Sequence, residues 1–382
     1  MKKNTWTVVL ASLVALAAFT AVASDKSERK IVVFDKGHYS QSEKILRMHN
    51  GVSVKDLNIV NGKVANLSKK DAEALKNEPG VLSVEDDAIV TTQALRAAAL
   101  QVLPWGIDRV DAENVWSLGN TGDTVKVGVI DTGISSSHPE LKANIKGGYN
   151  AINRKKSWND DNGHGSHVAG IIAAINDAYG VVGAAPFADL YAIKVLNANG
   201  SGYISDVIEG IDWARTNGMN VINLSLGSTS DISAMHTAVT NAYNAGVVIV
   251  AAAGNSGGSV IYPAAYPEVI AVSATDQNNI LAGWSSRGPE VDIAAPGVGI
   301  YSTYKGTGYA TLSGTSMATP HVTGSVALVL SSLVGVNDAN ANGKWDPEEV
   351  KTKIQSTALD LGDAGFDSLY GWGLMNAFAA VQ

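Results

Sequence analysis

Apolar and polar positions fall into two regimes along the chain. Between Lys30 and Thr92 short apolar runs alternate with amphipathic ones. The pattern predicts a strand over Lys30–Phe34, a helix over Ser40–His49, a strand over Gly62–Leu67, a helix over Lys69–Asn77 and a strand over Val81–Glu85, with Pro79-Gly80 as a turn. That is a small α+β unit. The stretch Gln93–Gln101, with Ala97-Ala98-Ala99, has no amphipathic period and reads as an exposed linker. From Leu103 onward strands and helices alternate: strands over Val125–Ile130, Leu190–Leu196, Val221–Leu226 and Val247–Ala253, helices over His164–Ile175, Ile204–Asn217 and Ser233–Ala245. Such alternation implies an α/β fold, a mainly parallel sheet with helices on both faces. Ligands of open sheets gather at the carboxyl ends of strands, so polar residues just past those ends are the first candidates for chemistry.

Before either regime, Lys2 and Lys3 precede an apolar run from Val8 to Val22 that ends in Ala21-Val22-Ala23. The run is short of the ~20 apolar residues of a spanning helix, and the small residues match a leader-peptide cleavage pattern. Export with cleavage near Ala23 is expected. The chain has no Cys, which removes disulfides, thiolate metal sites and a cysteine nucleophile. Basic and acidic residues number 2 and 0 up to Ala23, 12 and 11 from Ser24 to Ala99, and 14 and 25 from Leu100 onward. So acidic a C-terminal part disfavours nucleic acid and anionic membrane as partners and suits calcium.

Three polar residues occupy suggestive places. Asp131 directly follows the strand Val125–Ile130, although an Asp there often only caps a turn. His164 lies between glycines in Asn162-Gly163-His164-Gly165-Ser166-His167, where a lone histidine is commonly structural. Ser316 precedes the apolar stretch Val322–Leu330, a buried helix. Pro320 is expected in the first turn of that helix, which puts Ser316 at its N-terminus, as nucleophile or as ordinary N-cap.

Val129-Ile130-Asp131-Thr132-Gly133, Asn162-Gly163-His164-Gly165-Ser166-His167-Val168-Ala169-Gly170 and Gly314-Thr315-Ser316-Met317-Ala318-Thr319-Pro320 together resemble the three signatures of subtilisin-like serine proteases, in that family's order. The resemblance covers about Leu103 to Gln382. It implies a subtilisin-like fold in which Ser316 is the nucleophile, His164 the general base and then acid, and Asp131 the carboxylate that orients the imidazole. Asn255, in Ala252-Ala253-Gly254-Asn255-Ser256-Gly257, matches the family's oxyanion-hole amide. Protein and peptide substrates would pair with Ser225-Leu226-Gly227 and Ala252-Ala253-Gly254, and Ile261 would line an aliphatic, narrowed primary pocket. Residues 24–99 resemble the family's propeptide in Lys30-Ile31-Val32-Val33-Phe34 and Gly80-Val81-Leu82-Ser83-Val84-Glu85-Asp86-Asp87. That implies a precursor of signal peptide 1–23, inhibitory propeptide 24–99 and peptidase domain 100–382, a monomer that cuts itself near Ala99-Leu100, a position taken from the register around Pro104-Trp105-Gly106.

Calcium is the expected cofactor. Asp338, Asn340, Asn342, Gly343, Asp346 and Glu349 fit the calcium-loop pattern D-x-[DN]-x-[DN]-G-x₅-E, with Lys344 offering its carbonyl. By resemblance, Gln101, Glu140, Ile175, Asp177, Tyr179 and Val181 align with the family's tight calcium site, where Glu140 replaces the usual Asp. Carbonyls of Ala264, Tyr266 and Val269 are candidates for a weaker third site. Zinc is disfavoured because neither H-E-x-x-H nor cysteine accompanies His164 and His167. Two other readings stay in view: a nonhydrolytic calcium-dependent binding protein on the same frame, and an α/β-hydrolase esterase, which needs Gly-x-Ser-x-Gly where this chain has Ala318.

Overall fold

A computed structural model describes residues 27–92, 95–97, 104–177 and 179–382. The expected leader, the bond Ala99-Leu100 and Gln101 lie outside the described residues.

The N-terminal unit comprises β1 (Glu28–Phe34), α1 (Ser42–Met48), β2 (Val52–Leu57), β3 (Gly62–Leu67), α2 (Lys69–Leu75) and β4 (Val81–Asp86). Its four strands form an antiparallel sheet in the order β2-β3-β1-β4. Val32, Phe34, Leu46, Leu67 and Leu75 close its core against the two helices. Strand β2 was not expected: its largely exposed residues give it no apolar run, and β3 is its one strand partner among the described residues.

Two short strands follow, β5 (Ile89–Thr92) and β6 (Leu95–Ala97), the latter inside the stretch expected to be a linker. Strand β6 pairs antiparallel with a later strand, so those three residues are sheet and not linker. No apolar alternation marks them in the sequence, and what places them in a sheet is main-chain pairing with a distant part of the chain.

The larger unit contains α3 (Trp105–Arg109), α4 (Ala112–Trp116), β7 (Lys126–Asp131), β8 (Ile145–Asn150), α5 (His164–Ala173), β9 (Asp189–Lys194), β10 (Ser201–Tyr203), α6 (Ile204–Thr216), β11 (Val221–Leu224), β12 (Leu226–Gly227), α7 (Ser233–Asn244), β13 (Val248–Ala252), β14 (Ile270–Thr275), β15 (Ile293–Pro296), β16 (Ile300–Thr303), β17 (Tyr309–Ser313), α8 (Thr315–Leu330), α9 (Pro347–Ser356) and α10 (Ala377–Val381). Seven strands make one parallel sheet in the order β15-β14-β13-β11-β7-β9-β8. Alternate residues serve opposite faces. Val127, Val129, Val221 and Val250 join the core under α5 and α8, whereas Ile130, Ile222, Leu224 and Ile249 join the one under α6 and α7. The α/β expectation holds, and β7, β11 and β13 lie side by side with their carboxyl ends together.

The N-terminal unit sits on α6 and α7. Asp87 accepts hydrogen bonds from Ser205 N at 2.8 Å and from Ser205 Oγ, capping the positive end of α6. Lys55 Nζ lies 2.7 Å from Glu209 and also pairs with Asp206, while Asn241 Nδ2 donates to the carbonyl of Ile59 at 2.9 Å.

Candidate active site

Asp131 ends β7 and His164 begins α5, so both stand at the carboxyl edge of the sheet. Both carboxylate oxygens of Asp131 lie 2.9 Å from His164 Nδ1, and the pair is buried. His164 Nε2, on the far side of the ring, is buried without a hydrogen-bond partner among the described residues.

The pair is held by a residue the sequence did not single out. Asp160 is buried and accepts five hydrogen bonds: from Thr132 Oγ1, Asn162 N, Gly163 N, Ser166 N and Ser166 Oγ, at 2.6–2.9 Å. Thr132 Oγ1 in turn accepts from Gly165 N at 2.9 Å. One carboxylate thus fastens the end of β7 to the start of α5. Asp-Asp-Asn-Gly ahead of a helix is a capping signal from which it was readable.

Ser316 is the second residue of α8, whose N-cap is Gly314. First-turn N–H groups point out of a helix end, and the dipole adds positive potential there. Pro320 is the sixth residue of α8 and not a first-turn one as expected. The cost of its missing N–H falls on the carbonyl of Ser316, four residues back, and Ser225 Oγ supplies that carbonyl with a donor at 2.9 Å. Ser316 Oγ donates to the carbonyl of Ser225 at 3.1 Å. Asn255 Oδ1 accepts from Thr315 N and Thr315 Oγ1, both at 2.9 Å, which orients the amide with Nδ2 turned away from them.

The two expected substrate segments differ. Leu226 and Gly227 form β12, an edge already paired antiparallel with β5 of the same chain: Leu226 with Thr92 and Gly227 with Thr91. Ala252-Ala253-Gly254 is no free edge, because β13 runs between β11 and β14. Ala253 N donates to Val272 O, Ala253 O accepts from Ile261 N, and Gly254 O accepts from Ser286 N. That segment can offer a wall but no ladder. Ile261 fills the space between both segments: a Cβ on Gly227 would fall 2.5 Å from Ile261 Cδ1, and one on Gly254 3.3 Å away.

Among the described residues no three His, Cys, Asp or Glu side chains converge as a metal cluster. Two of the three expected calcium sites nonetheless fit hard oxygen donors. Glu140 Oε2 is buried without a hydrogen-bond partner among the described residues, and Tyr309 Oη donates to Oε1 at 2.7 Å. Burial pushes the Glu140 carboxyl up; the Tyr309 hydrogen bond opposes this and the charge of Asp177 adds to it. A Cβ on Gly180 would come within 2.1 Å of Glu140 Oε1, so the loop bearing Ile175, Asp177, Tyr179 and Val181 closes tightly over that carboxylate.

In the second loop Gly343 has φ +76°, the left-handed turn that the sixth position of such a loop requires. Asp338 Oδ2 accepts from Gly343 N at 2.8 Å, Asn342 Nδ2 donates to Asp346 Oδ2 at 2.9 Å, and Asp346 and Glu349 form the capping box of α9. The third site does not fit a metal. The Val269 carbonyl accepts from Lys351 Nζ at 3.0 Å, and the same ammonium binds Pro267 O at 3.1 Å and Asp292 Oδ1 at 2.9 Å. A tethered cation already holds that cradle.

Other histidines serve the fold. His167 Nε2 donates to the carbonyls of Ile300 and Ala310, and His321 Nδ1 donates to that of Met317. No helix among the described residues is long and apolar enough to cross a membrane.

Comparison with known proteins agrees with this arrangement. The profile described as "Subtilase family" matches residues 122–373. The chain is 49% identical over 317 residues to "Alkaline protease" of Shouchella clausii, covering 83% of this chain and 78% of that one. It is 42% identical over 378 residues to "Thermostable alkaline protease" of Halalkalibacterium halodurans, covering 98% of each. With "Subtilisin E" of Bacillus subtilis (strain 168) it shares 41% over 398 aligned positions, 100% of this chain and 99% of the other. The last two matches include the N-terminal unit as well as the parallel sheet. A profile spanning most of the larger unit and relatives alike over nearly their whole length leave one assignment: this chain belongs to the subtilase family of serine endopeptidases.

Proposed function

We propose that the protein is a secreted, calcium-stabilised serine endopeptidase, made as a precursor that its own active site processes. The observation that carries the catalytic reading is the buried Asp131–His164 pair, whose outer nitrogen Nε2 has no other described partner. Ser316 Oγ attacks the scissile carbonyl after exchanging the Ser225 carbonyl for His164 Nε2. His164 takes the proton and returns it to the leaving amine, and Asp131 holds the tautomer with Nδ1–H and offsets the charge of the imidazolium. The oxyanion is met by Ser316 N–H at the helix start and by Asn255 Nδ2.

Calcium would be held by Glu140, Asp177 and neighbouring carbonyls in one loop, and by Asp338, Asn340, Asn342, Lys344 O, Asp346 and Glu349 in the other. When bound it supplies stability by mass action, which suits an exported chain without disulfides. Residues 24–99 act as inhibitor and folding template. Support comes from β5, which occupies the edge β12 where a substrate would pair, and from the contacts of Asp87 and Lys55 with α6.

Processed protein should cleave denatured casein, and Ser316→Ala should fold but leave both casein and its own precursor intact. A chelator should lower the thermal midpoint of processed protein. Casein left whole by folded, processed material refutes the peptidase reading and favours a nonhydrolytic binding protein.

A further inference from the structure

Lys194 ends β9 and stands beside Asp131, the end of β7, in the parallel register of the two strands. Alternation carries Leu190 and Ala192 into the core under α5, as it carries Val127 and Val129, so the side chains of Lys194 and Asp131 share that face. The lysine is buried, a place this side chain seldom occupies unless paired. All three ammonium hydrogens are used. They are donated to the carbonyls of Thr132 at 2.7 Å and Leu196 at 2.8 Å and to Asp161 Oδ1 at 2.7 Å. Asp161 is half-exposed, so the ion pair by itself adds little to stability.

What the ammonium touches is the chain around the catalytic pair. Asp131 O accepts from Val195 N at 2.9 Å and Leu196 N at 3.1 Å, and Thr132 N donates to Asp131 Oδ1 at 2.6 Å. The carbonyl of the next peptide, Thr132 O, is held by Lys194. Beyond it Gly133 O abuts α5: a Cβ on Gly165 would fall 2.2 Å from that oxygen. Gly165 follows His164 directly, so a swing of this peptide would displace the imidazole. Leu196 O, the second acceptor, opens the turn to β10. In that turn Ala198 O accepts from Asn162 Nδ2 at 2.9 Å, and Asn162 Oδ1 accepts from His164 N at 3.0 Å. One buried cation thus joins the end of β7, the entry to α5 and the turn leading to β10. An apolar side chain would fill the same space without the cost of desolvating a charge, so packing alone does not account for a lysine there.

The titratable groups around His164 are Asp131 from β7, Asp160 and Asp161 from the loop before α5, His167 further along α5 with His321 of α8 beyond it, Tyr304 against Gly163 from the segment after β16, and Lys194 from β9. Three of these are carboxylates, and Lys194 is the one lysine or arginine among them. Carboxylates favour a protonated imidazole, which cannot act as a base, and the ammonium opposes them. Resting on the peptidase reading above, we propose that Lys194 is a positioning residue of that reaction: its ammonium fixes the peptide that follows Asp131, and its charge extends activity to lower pH.

The test compares kcat and KM of processed parent and variants on a peptide p-nitroanilide from about pH 5 to about pH 9, with active enzyme counted by an acylating titrant. Lys194→Met should lower kcat by roughly tenfold or more with KM within about threefold of the parent. The acid limb of its kcat/KM profile should move up by roughly one pH unit, the effect of a unit charge on the order of 10 Å away at an effective dielectric constant of about 20. Lys194→Arg keeps the charge and alters the hydrogen bonds, so it should lower kcat with the limb in place. Asp161→Asn removes the opposite charge and should leave the limb at the parent's pH or below it. A limb unmoved in Lys194→Met, or moved up as far in Lys194→Arg or Asp161→Asn, overturns the proposal, as does a Lys194→Met kcat equal to the parent's. A Lys194→Met chain that fails to fold, by circular dichroism, assigns the lysine to the fold and overturns it too. Folded, processed parent without turnover refutes the peptidase reading itself; with parent turnover in hand, the variants decide the proposal alone.

Discussion

Ser225 Oγ donates 2.9 Å to the main-chain carbonyl of Ser316, the acceptor that Pro320 leaves without a helical donor. The hydroxyl is itself held. Asn223 Nδ2 donates to Ser225 Oγ at 2.8 Å, and Thr323 Oγ1 donates to Asn223 Oδ1 at 2.9 Å, all of it buried. A proline that would otherwise weaken α8 thus lets the sheet edge fix the peptide plane at the nucleophile.

Removing a link in that relay should reach the reaction through Ser316. Asn223→Ala leaves Ser225 Oγ short of a donor at a cost on the order of 1–3 kcal/mol. Turnover should fall by roughly tenfold to a hundredfold with KM nearly unchanged, because the substrate edge β12 remains. Equal kcat in variant and parent, with peptide p-nitroanilide assays under saturating substrate, would show that the relay does not position the nucleophile.

Asp87 caps α6 from the N-terminal unit. Asp87→Ala should remove two hydrogen bonds to Ser205 and the favourable charge at the helix start, together on the order of 1–2 kcal/mol. Added in trans to processed enzyme, a peptide of residues 24–92 carrying the change should inhibit about tenfold or more less tightly than the unsubstituted peptide, measured as the inhibition constant. Circular dichroism of both peptides separates loss of the contact from loss of the fold.

Lys351 ties α9 to the turn at Pro267–Val269 and to Asp292. Burial raises the Asp292 carboxyl and the ammonium draws it back down. Lys351→Met should leave a buried carboxylate with only Gln355 and the Ala271 amide as donors, a loss on the order of 3 kcal/mol. Sodium or potassium chloride should restore part of the thermal midpoint in the variant more than choline chloride does at equal ionic strength, and should not do so in the parent. The same salt response in both proteins would contradict a cradle filled by its own lysine.

His167 and His321 are buried and neutral. Burial is the main cause in each case, pulling His167 down to about 3, with the neighbouring His164 adding to it, and His321 down to about 4. Unfolded histidines titrate near pH ~6.5, so the unfolded chain binds more protons below that value. Their contribution is complete above ~6.5 and is lost as pH falls toward the folded values, by roughly tenfold in the folding constant per pH unit for each. The urea midpoint of processed protein should drop between about pH 6.5 and about pH 4, and His321→Gln should flatten that slope. A midpoint that is level across this range would show that these rings are not kept neutral by burial.

Signature segments such as Val129–Gly133 were legible because a buried strand ending in a carboxylate, a glycine-flanked histidine before a helix and a serine ahead of an apolar helix are local patterns. Periodicity also found β7, β9, β11 and β13, whose apolar runs survive burial on both faces. It missed β2, β5 and β6, which main-chain pairing holds, and in the larger unit β8, β10 and β14 to β17, of which β14 and β15 are wholly buried but too short or too mixed with small residues to stand out as apolar runs. Asp160 was passed over although four of its five donors lie within six residues after it; only the Thr132 hydroxyl, just past β7, is a distant partner that folding supplies.

The amino-acid order alone determined the α/β class, the family, and which aspartate, histidine, serine and asparagine to examine, since each depends on neighbours within a few positions. Tertiary structure decided what depends on distant partners: that Pro320 lies inside α8 because Ser225 answers for the lost donor, and that the Ala252–Gly254 segment is a wall because its hydrogen bonds are spent on Val272, Ile261 and Ser286. It also decided that Lys351 fills the third cation cradle, and that β5 pairs with the edge β12. Hydrogen bonds and ion pairs act over about 3 Å of space whatever the separation in sequence, and only folding sets that distance.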